Sequence, residues 1–600
     1  MTKKNLQYIF IWSIIILGVI FSKRMDIAPY ILVDAGTRTF LEVTIANLLE
    51  HHKRYVFIMI ISTAIICYLH NRSTYKQHSR WLFFLAGLFS FFHLIGVTYE
   101  NSMTGVLLYH FSKPLIGSNI SLLVGYFFIY LMVLELISGA LDYYREQLEC
   151  DKRNAYEFLS GKVKYPLIAL LMFIGWVPYM LLCYPGTLGA DEVYQLAQFW
   201  GLTPWTSHHP IVSTALMGSA TWIGKLCGSM SFGVFLFMCI QAVIAAYLFT
   251  KIIQLYERAG IGRGVRIIVW SFFALLPLWG SFVQTVGKDF AFTLIMVAFT
   301  LWLYKNYENR THWSLMSWNS LEFLLLCIGV TYLRNNGLYA VVATLIAMIV
   351  LWKEQRKTIV ALTTIFVIIV AFVNIFFFTV LKIEKGSVRE TLSIPFQQTA
   401  RYVKEYESDI SEEEQNIINT VLDYKTIGMR YKAYLSDPVK ETYKEASKAE
   451  LAEYFGVWFA QFLRHPLVYV DATLSNSYAY ISPGSRWLWG YNYFAMDKND
   501  FGIHYVWNEE IVSTVAMLDK EASRAPVLHY FYAPGTYIWL ILFFCVYNLW
   551  KKQYRRNLIA VPSLVIFLTC IASPCLGCVR YALPYMACTP IIIVASIKKE

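Results

Sequence analysis

The sequence predicts an all-α polytopic membrane protein, and three observations carry that expectation. Of 600 residues, 57% are hydrophobic and 15% charged, and mean hydropathy is +0.47, whereas soluble domains carry about 25% charged residues. Apolar runs recur at both ends of the chain at close to the length, about 20 helical residues, that crosses ~30 Å of hydrocarbon. The Lys and Arg residues between those runs gather in alternate loops, as expected of a chain oriented by its positive charge.

Taken in order, about fourteen runs qualify once snorkelling flanks are allowed for. They are roughly 8–21, 55–70, 81–100, 119–141, 166–183, 232–251, 266–283, 290–304, 318–333, 338–352, 358–381, 534–550, 557–574 and 581–597. The first follows Lys3 and Lys4 with no small-residue cleavage site, so it reads as an uncleaved helix. The basic loops at 71–80, 145–164, 251–266, 305–310, 353–357 and 551–556 fall on one side with Lys598 and Lys599. By the charge rule that side is cytoplasmic, and both termini lie there in the plasma membrane. Segment 22–54, with Lys23, Arg24, Lys53 and Arg54, departs from the rule.

Residues 211–227 resemble a further span, but counting them would turn every downstream basic loop outward. They are therefore expected as an outer re-entrant or interfacial helix. That parity makes 382–533 one extracytoplasmic insert, mainly helical and polar, with an acidic run at 408–415. Asp471 to Pro483 is too polar to span and is expected at an interface. The division is 1–165, N-terminal helices; 166–381, a core with an outer loop at 184–231; 382–533, the insert; and 534–600, C-terminal helices.

The net charge of +11 belongs to cytoplasmic loops, so no nucleic-acid partner is implied. Most of the eleven cysteines sit inside apolar runs as small hydrophobes. Cys575 and Cys578 form a single C-x-x-C, which is too little for a zinc site. No P-loop, G-x-G-x-x-G, G-x-S-x-G or H-E-x-x-H motif occurs, so soluble-nucleotide chemistry has no support.

Polar clusters concentrate at the outer helix ends, where ionisable groups are costly unless they serve a cavity. The densest is Tyr184 to Pro210, YPGTLGADEVYQLAQFWGLTPWTSHHP. Asp191 is the candidate general base, with Glu192 as second choice; the alternative is a pair of acids stabilising a helix N-terminus. His208 and His209 are adjacent and do not share a helix face, so hydrogen bonding is expected ahead of metal ligation. His209 is the candidate for proton handling. Lys288 and Asp289 open the next helix, either for substrate or as a structural ion pair. Arg334, Asn335 and Asn336, then Gln397, Gln398 and Arg401, then Arg580 and Tyr581, complete the candidate binding set. Arginines supply the fork of donors that a phosphate leaving group requires. A divalent metal held by Asp191 and Asp289 is an option, and no other cofactor is indicated.

YPGT…D…Q…HHP at 184–210, GKD at 287–289, RNNG at 334–337, IPFQQTAR at 394–401 and RY-x-x-P at 580–584 resemble an uncharacterised family of bacterial polytopic membrane proteins. That family is similar in turn to GT-C glycosyltransferases. The resemblance covers about 166 to the end. It implies a GT-C-like fold, a polyprenyl-phosphate sugar donor and a cell-envelope glycan or lipid acceptor, with Asp191 in the place of the loop carboxylate. Where many GT-C enzymes have D-x-D, this chain has Asp191-Glu192. A flippase for lipid-linked saccharides and an outer-face acyltransferase using His208 or His209 are the alternatives.

Overall fold

The computed structural model describes residues 3–21, 42, 54–72, 79–109, 113–150, 161–309, 313–488, 499–506 and 509–598. Most of segment 22–54 lies outside them. The described chain is helical, and no strand forms beyond isolated bridges. Its main helices are α1 (Lys3–Phe21), α2 (Arg54–Arg72), α3 (Arg80–Ser102), α4 (Lys113–Cys150), α5 (Gly161–Leu182), α6 (Ala190–Phe199), α7 (Ile211–Leu226) and α8 (Met230–Arg258). There follow α9 (Arg263–Ala274), α10 (Pro277–Val283), α11 (Lys288–Asn309), α12 (Trp318–Leu333), α13 (Gly337–Leu351) and α14 (Arg356–Ile375). The insert holds α15 (Ser393–Tyr406), α16 (Glu412–Val421), α17 (Lys448–Arg464), α18 (Pro466–Ser477) and α19 (Glu509–Arg524). The chain closes with α20 (Pro534–Trp550), α21 (Val561–Ile571) and α22 (Val579–Ile597).

Eight described helices are long and apolar enough to cross a membrane: α3, α4, α5, α8, α11, α14 with its flanking turns, Tyr554–Ile571 containing α21, and α22. The pair α9–α10, bent by 44°, counts as a ninth if taken as one span. Shorter apolar stretches accompany them in α1, α2, α12, α13 and α20. The chain therefore has the make-up of an integral membrane protein.

Ion pairs fix which helix ends lie together. Glu257 at the end of α8 meets Lys164 in the first turn of α5 (2.5 Å) and Arg266 in α9 (2.8 Å). Higher up, Trp176 of α5 donates to the Phe273 carbonyl of α9 (3.0 Å). Thus α5 and α9 run together and α8 runs against them, so the α6–α7 segment between α5 and α8 does not make a full crossing. The same end of the bundle holds Lys551 on Asp142 (2.6 Å), Arg555 on Glu354 (3.3 Å), and Arg556 donating to the Ala595 carbonyl (2.9 Å). This basic end lies opposite the ends of α5, α12 and α21 that precede the polar motifs.

Helix α8 has 29 residues, about 43 Å at 1.5 Å per residue, which exceeds ~30 Å of hydrocarbon. Gln241, partway along it, donates to the carbonyls of Val283 (2.7 Å) and Thr285 (2.8 Å) just before α11. Its first turns therefore project beyond the start of α11, with α7 folded back along them. Helix α7 buries Ser213, Thr214, Met217 and Thr221 and exposes Leu216, Trp222, Ile223 and Leu226. Its outward face is thus mainly apolar, and its polar side chains turn toward the protein.

The insert has its own core, in which Phe396, Tyr402, Ile418, Tyr454 and Tyr469 are buried apart from the bundle core. Reciprocal Ser411–Glu414 and Ser447–Glu450 caps start α16 and α17. Asp471 of α18 ties the insert to the bundle: it accepts from Thr104 (2.8 Å), the Gly105 amide (2.5 Å), Tyr109 (3.2 Å) and Arg401. Asp471 to Pro483 is accordingly buried between insert and bundle, with Tyr478 and Tyr480 fully enclosed.

Candidate functional site

The site is assembled where loops pin helix starts together. The YPGT turn lies beside the stretch before α11: the Thr187 amide donates to the Gln284 carbonyl (3.0 Å) and the Val286 amide to the Thr187 carbonyl (2.9 Å). Helix α6 then starts at Gly189, which offers no side-chain cap, and Asp191 and Glu192 occupy its first turn. Carboxylates are stabilised there by the unpaired amides and the helix dipole. Gly287 lets the chain pass close to Glu192, since a Cβ there would lie 2.4 Å from a Glu192 carboxylate oxygen. That close approach brings Lys288 beside Asp191.

Lys288 Nζ donates to Asp191 Oδ2 (2.9 Å) and to His209 Nδ1 (3.0 Å). Arg334 pairs with Asp289 (2.7 Å). Arg580 lies 3.5 Å from Asp191 and 3.8 Å from Asp289, so it links the two carboxylates. Tyr581 supports both arginines: the Arg334 guanidinium stacks 4.5 Å above its ring, and Arg580 Nη2 donates to its hydroxyl (3.2 Å). Lys288 and Asp289 are neighbours in sequence but serve different partners, so the simple ion pair between them does not form.

Electrostatics follow from these contacts. Burial alone would raise Asp191, but Lys288 and Arg580 outweigh it and hold the carboxyl well below its ordinary range. Glu192 faces away from the opening against Gly287, and burial raises it to about 7 against the pull of Lys288. Burial and then Lys288 lower His209 to about 3, so its ring is neutral and its Nδ1 accepts a hydrogen bond from the lysine ammonium.

A cavity of about 550 Å³ opens at this cluster. Asp191, His208, His209, Lys288, Arg334, Asn335, Asn336, Arg580 and Tyr581 line it, together with apolar Phe292, Tyr339 and Ile566. Asn335 is held by the Ser207 carbonyl (3.4 Å). Asp289 lies behind the wall as the counterion of Arg334. The insert contributes Arg389, Glu390, Asp437, Lys440 and Glu441, which sequence reasoning missed. Lys440 is tied to Glu390 (2.7 Å) and Asp437 (2.8 Å). No motif marks these residues; their only signal is charge on either side of IPFQQTAR.

Besides Asp289, three expected binding residues do not line the cavity. Gln397 donates to the Lys432 carbonyl (2.9 Å), and Gln398 bonds Thr473 (3.0 Å) and accepts from Trp458 (3.1 Å). Arg401 is buried on Asp471, Glu405 and Tyr431. All three build the insert, because α15 turns that face into the insert's own core. The metal option also lacks a donor set: Asp191 and Asp289 face cations, and among the described residues no three His, Cys, Asp or Glu groups come together to hold an ion. Cys575 and Cys578 are buried free thiols.

Fold and site together define a helical protein with membrane-length helices and a charge-rich cavity at one end of its bundle, roofed by an insert. The chain belongs to a family of unknown function, DUF6020, which matches residues 201–600 and so includes Lys288, Arg334 and Arg580. No curated protein and no solved structure matches it.

Proposed function

We propose that this protein is an inverting GT-C-like glycosyltransferase that moves a sugar from a polyprenyl-phosphate donor to a cell-envelope glycan or lipid on the outer face of the plasma membrane. The observation that carries this reading is the convergence of Lys288, Arg334 and Arg580 with Asp191 at one cavity that also has apolar walls. Three cations suit a phosphate leaving group, and Phe292, Tyr339 and Ile566 suit the lipid attached to it. The basic loops at the opposite end of the bundle favour a cytoplasmic basic end and an outer site. Counting the shorter apolar helices and the bent pair as crossings gives about fourteen spans and two cytoplasmic termini. Nucleotide sugars do not reach the outer face, which favours a lipid-linked donor.

In this mechanism an acceptor hydroxyl attacks the anomeric carbon while the bond from that carbon to the phosphate oxygen breaks. The hydroxyl proton passes to Asp191, and Lys288, Arg334 and Arg580 take up the charge of the departing polyprenyl phosphate. In the resting site two of those cations neutralise Asp191 and depress its basicity. A bound phosphate competes for them, so the donor itself restores the base. His209 holds Lys288 in position. Its Nδ1 is occupied by Lys288 and burial weakens its basicity, which supports this role over that of an acyl-transfer base. Beneath the site α11 buries Phe292, Met296, Val297 and Phe299, an apolar floor that supports transfer over transport. The test is Asp191→Asn in membranes supplied with a polyprenyl-phosphate sugar: transfer is lost, whereas unchanged transfer by a folded variant removes Asp191 from the mechanism.

A further inference from the structure

A second cavity of about 470 Å³ adjoins the first and shares Asp191, His208, His209 and Arg389 with it. We propose that this second cavity is the acceptor subsite and that it selects an anionic, hydroxyl-bearing acceptor. This rests on the glycosyltransferase reading and assigns a substrate class to it.

The argument begins with charge. The second cavity is lined by Lys385 and Arg389, and among the described residues Asp191 is the one carboxylate in its lining, which Lys288 (2.9 Å) and Arg580 (3.5 Å) already neutralise. Lys385 has no carboxylate partner among the described residues; its Nζ lies 5.5 Å from the Phe378 ring. Arg389 contacts Glu390 (3.3 Å), but Glu390 lines the first cavity and is also held by Lys440 (2.7 Å). Glu445 also reaches the rim, where it accepts from Ser387 (2.7 Å), so the cation left to steer and retain an anion is Lys385.

The strap that carries these cations is held in place. The Ser207 amide donates to the Glu384 carbonyl (2.8 Å), and the Gly386 amide donates to Ser207 Oγ (2.9 Å). A Cβ at Gly386 would lie 3.0 Å from the His208 backbone, so the strap carrying Lys385 and Arg389 sits directly on the histidine loop. Tyr194 is 39% exposed at the same cavity, its ring edge-on to His209. It gives a saccharide ring a flat face to lie on. Asp191 lines both cavities, so a hydroxyl arriving from the second reaches the carboxylate that faces the first.

The test uses the full-length protein in detergent and fluorescent tetramers as probes: tetragalacturonate, tetra(glycerol phosphate) and neutral maltotetraose. An anionic tetramer is expected to bind at least about tenfold more tightly than maltotetraose, as one charge-assisted contact implies. Carboxylate and phosphate arms show which anion is preferred. Lys385→Glu should weaken anionic binding about tenfold or more, with Lys385→Arg restoring it. Equal binding of maltotetraose, no binding of either anionic tetramer, or indifference to Lys385→Glu would overturn the proposal. Hydrolysis of a polyprenyl-phosphate-linked glucose in the absence of acceptor is followed separately. Absence of either hydrolysis or transfer to the bound tetramer in the wild type counts against the transferase reading and leaves the binding result intact.

Discussion

Replacing Lys288 by methionine removes the charge and keeps the stem, and the geometry sets what should follow. Lys288 is nearly enclosed and touches both Asp191 (2.9 Å) and His209 (3.0 Å). A unit-charge pair at 4 Å is worth about 4 kcal/mol at an effective dielectric of 20. In the resting site much of that is spent on Asp191, which is partly exposed to solvent. The net contribution to a bound phosphate is therefore that of one charge-assisted hydrogen bond, about 1.5–3 kcal/mol. This corresponds to roughly tenfold to 150-fold weaker binding of a fluorescent polyprenyl phosphate to the purified protein. Asp191 would retain only Arg580 at 3.5 Å, so its carboxyl should rise toward the ordinary range. The acidic limb of a transfer pH profile should then move to higher pH. Lys288→Arg should preserve most of the affinity. Binding within twofold of wild type in the folded methionine variant, with an unmoved acidic limb, would refute the reasoning.

Three further outcomes are expected. Glu192 is raised from 4.5 to about 7 by burial, so the folded state holds its proton more tightly and stability falls as pH rises from 4.5 through 7. Glu192→Gln should therefore stabilise the protein at pH 8 by on the order of 3 kcal/mol and leave it unchanged near pH 4; equal melting shifts at both would contradict this. Gly287→Ala forces a methyl group against the Glu192 carboxylate and should cost about 1–3 kcal/mol, read as a lowered Tm. Asp471→Ala leaves Arg401 buried with only Glu405 for charge, should cost about 3–5 kcal/mol, and should expose the insert to limited proteolysis.

Helix positions were legible because membrane spans must satisfy every backbone group internally and so write long apolar runs. The convergence of YPGT, HHP, GKD, RNNG and RY was legible for a related reason. Polar residues collect at helix ends, and alternate helix ends lie at the same end of the bundle. Pairing was not legible. Nothing local says that Lys288 takes Asp191 while its neighbour Asp289 takes Arg334, since those contacts depend on the bridge between Thr187 and Thr285. Gln397, Gln398 and Arg401 misled because a second core lies in the insert, and a motif of polar residues serves a buried network as readily as a cavity. Arg389 and Lys440 went unseen because the insert's contribution to the roof has no periodicity or spacing to mark it.

The most direct measurement incubates the purified protein with a polyprenyl-phosphate sugar and an acceptor, counts polyprenyl phosphate released, and assigns the product anomer by NMR. One lipid phosphate per glycosidic bond, inversion at the anomeric carbon, and loss of both products in Asp191→Asn are the expected results. Retention of configuration, or bond formation that survives Asp191→Asn in a folded protein, would contradict the account.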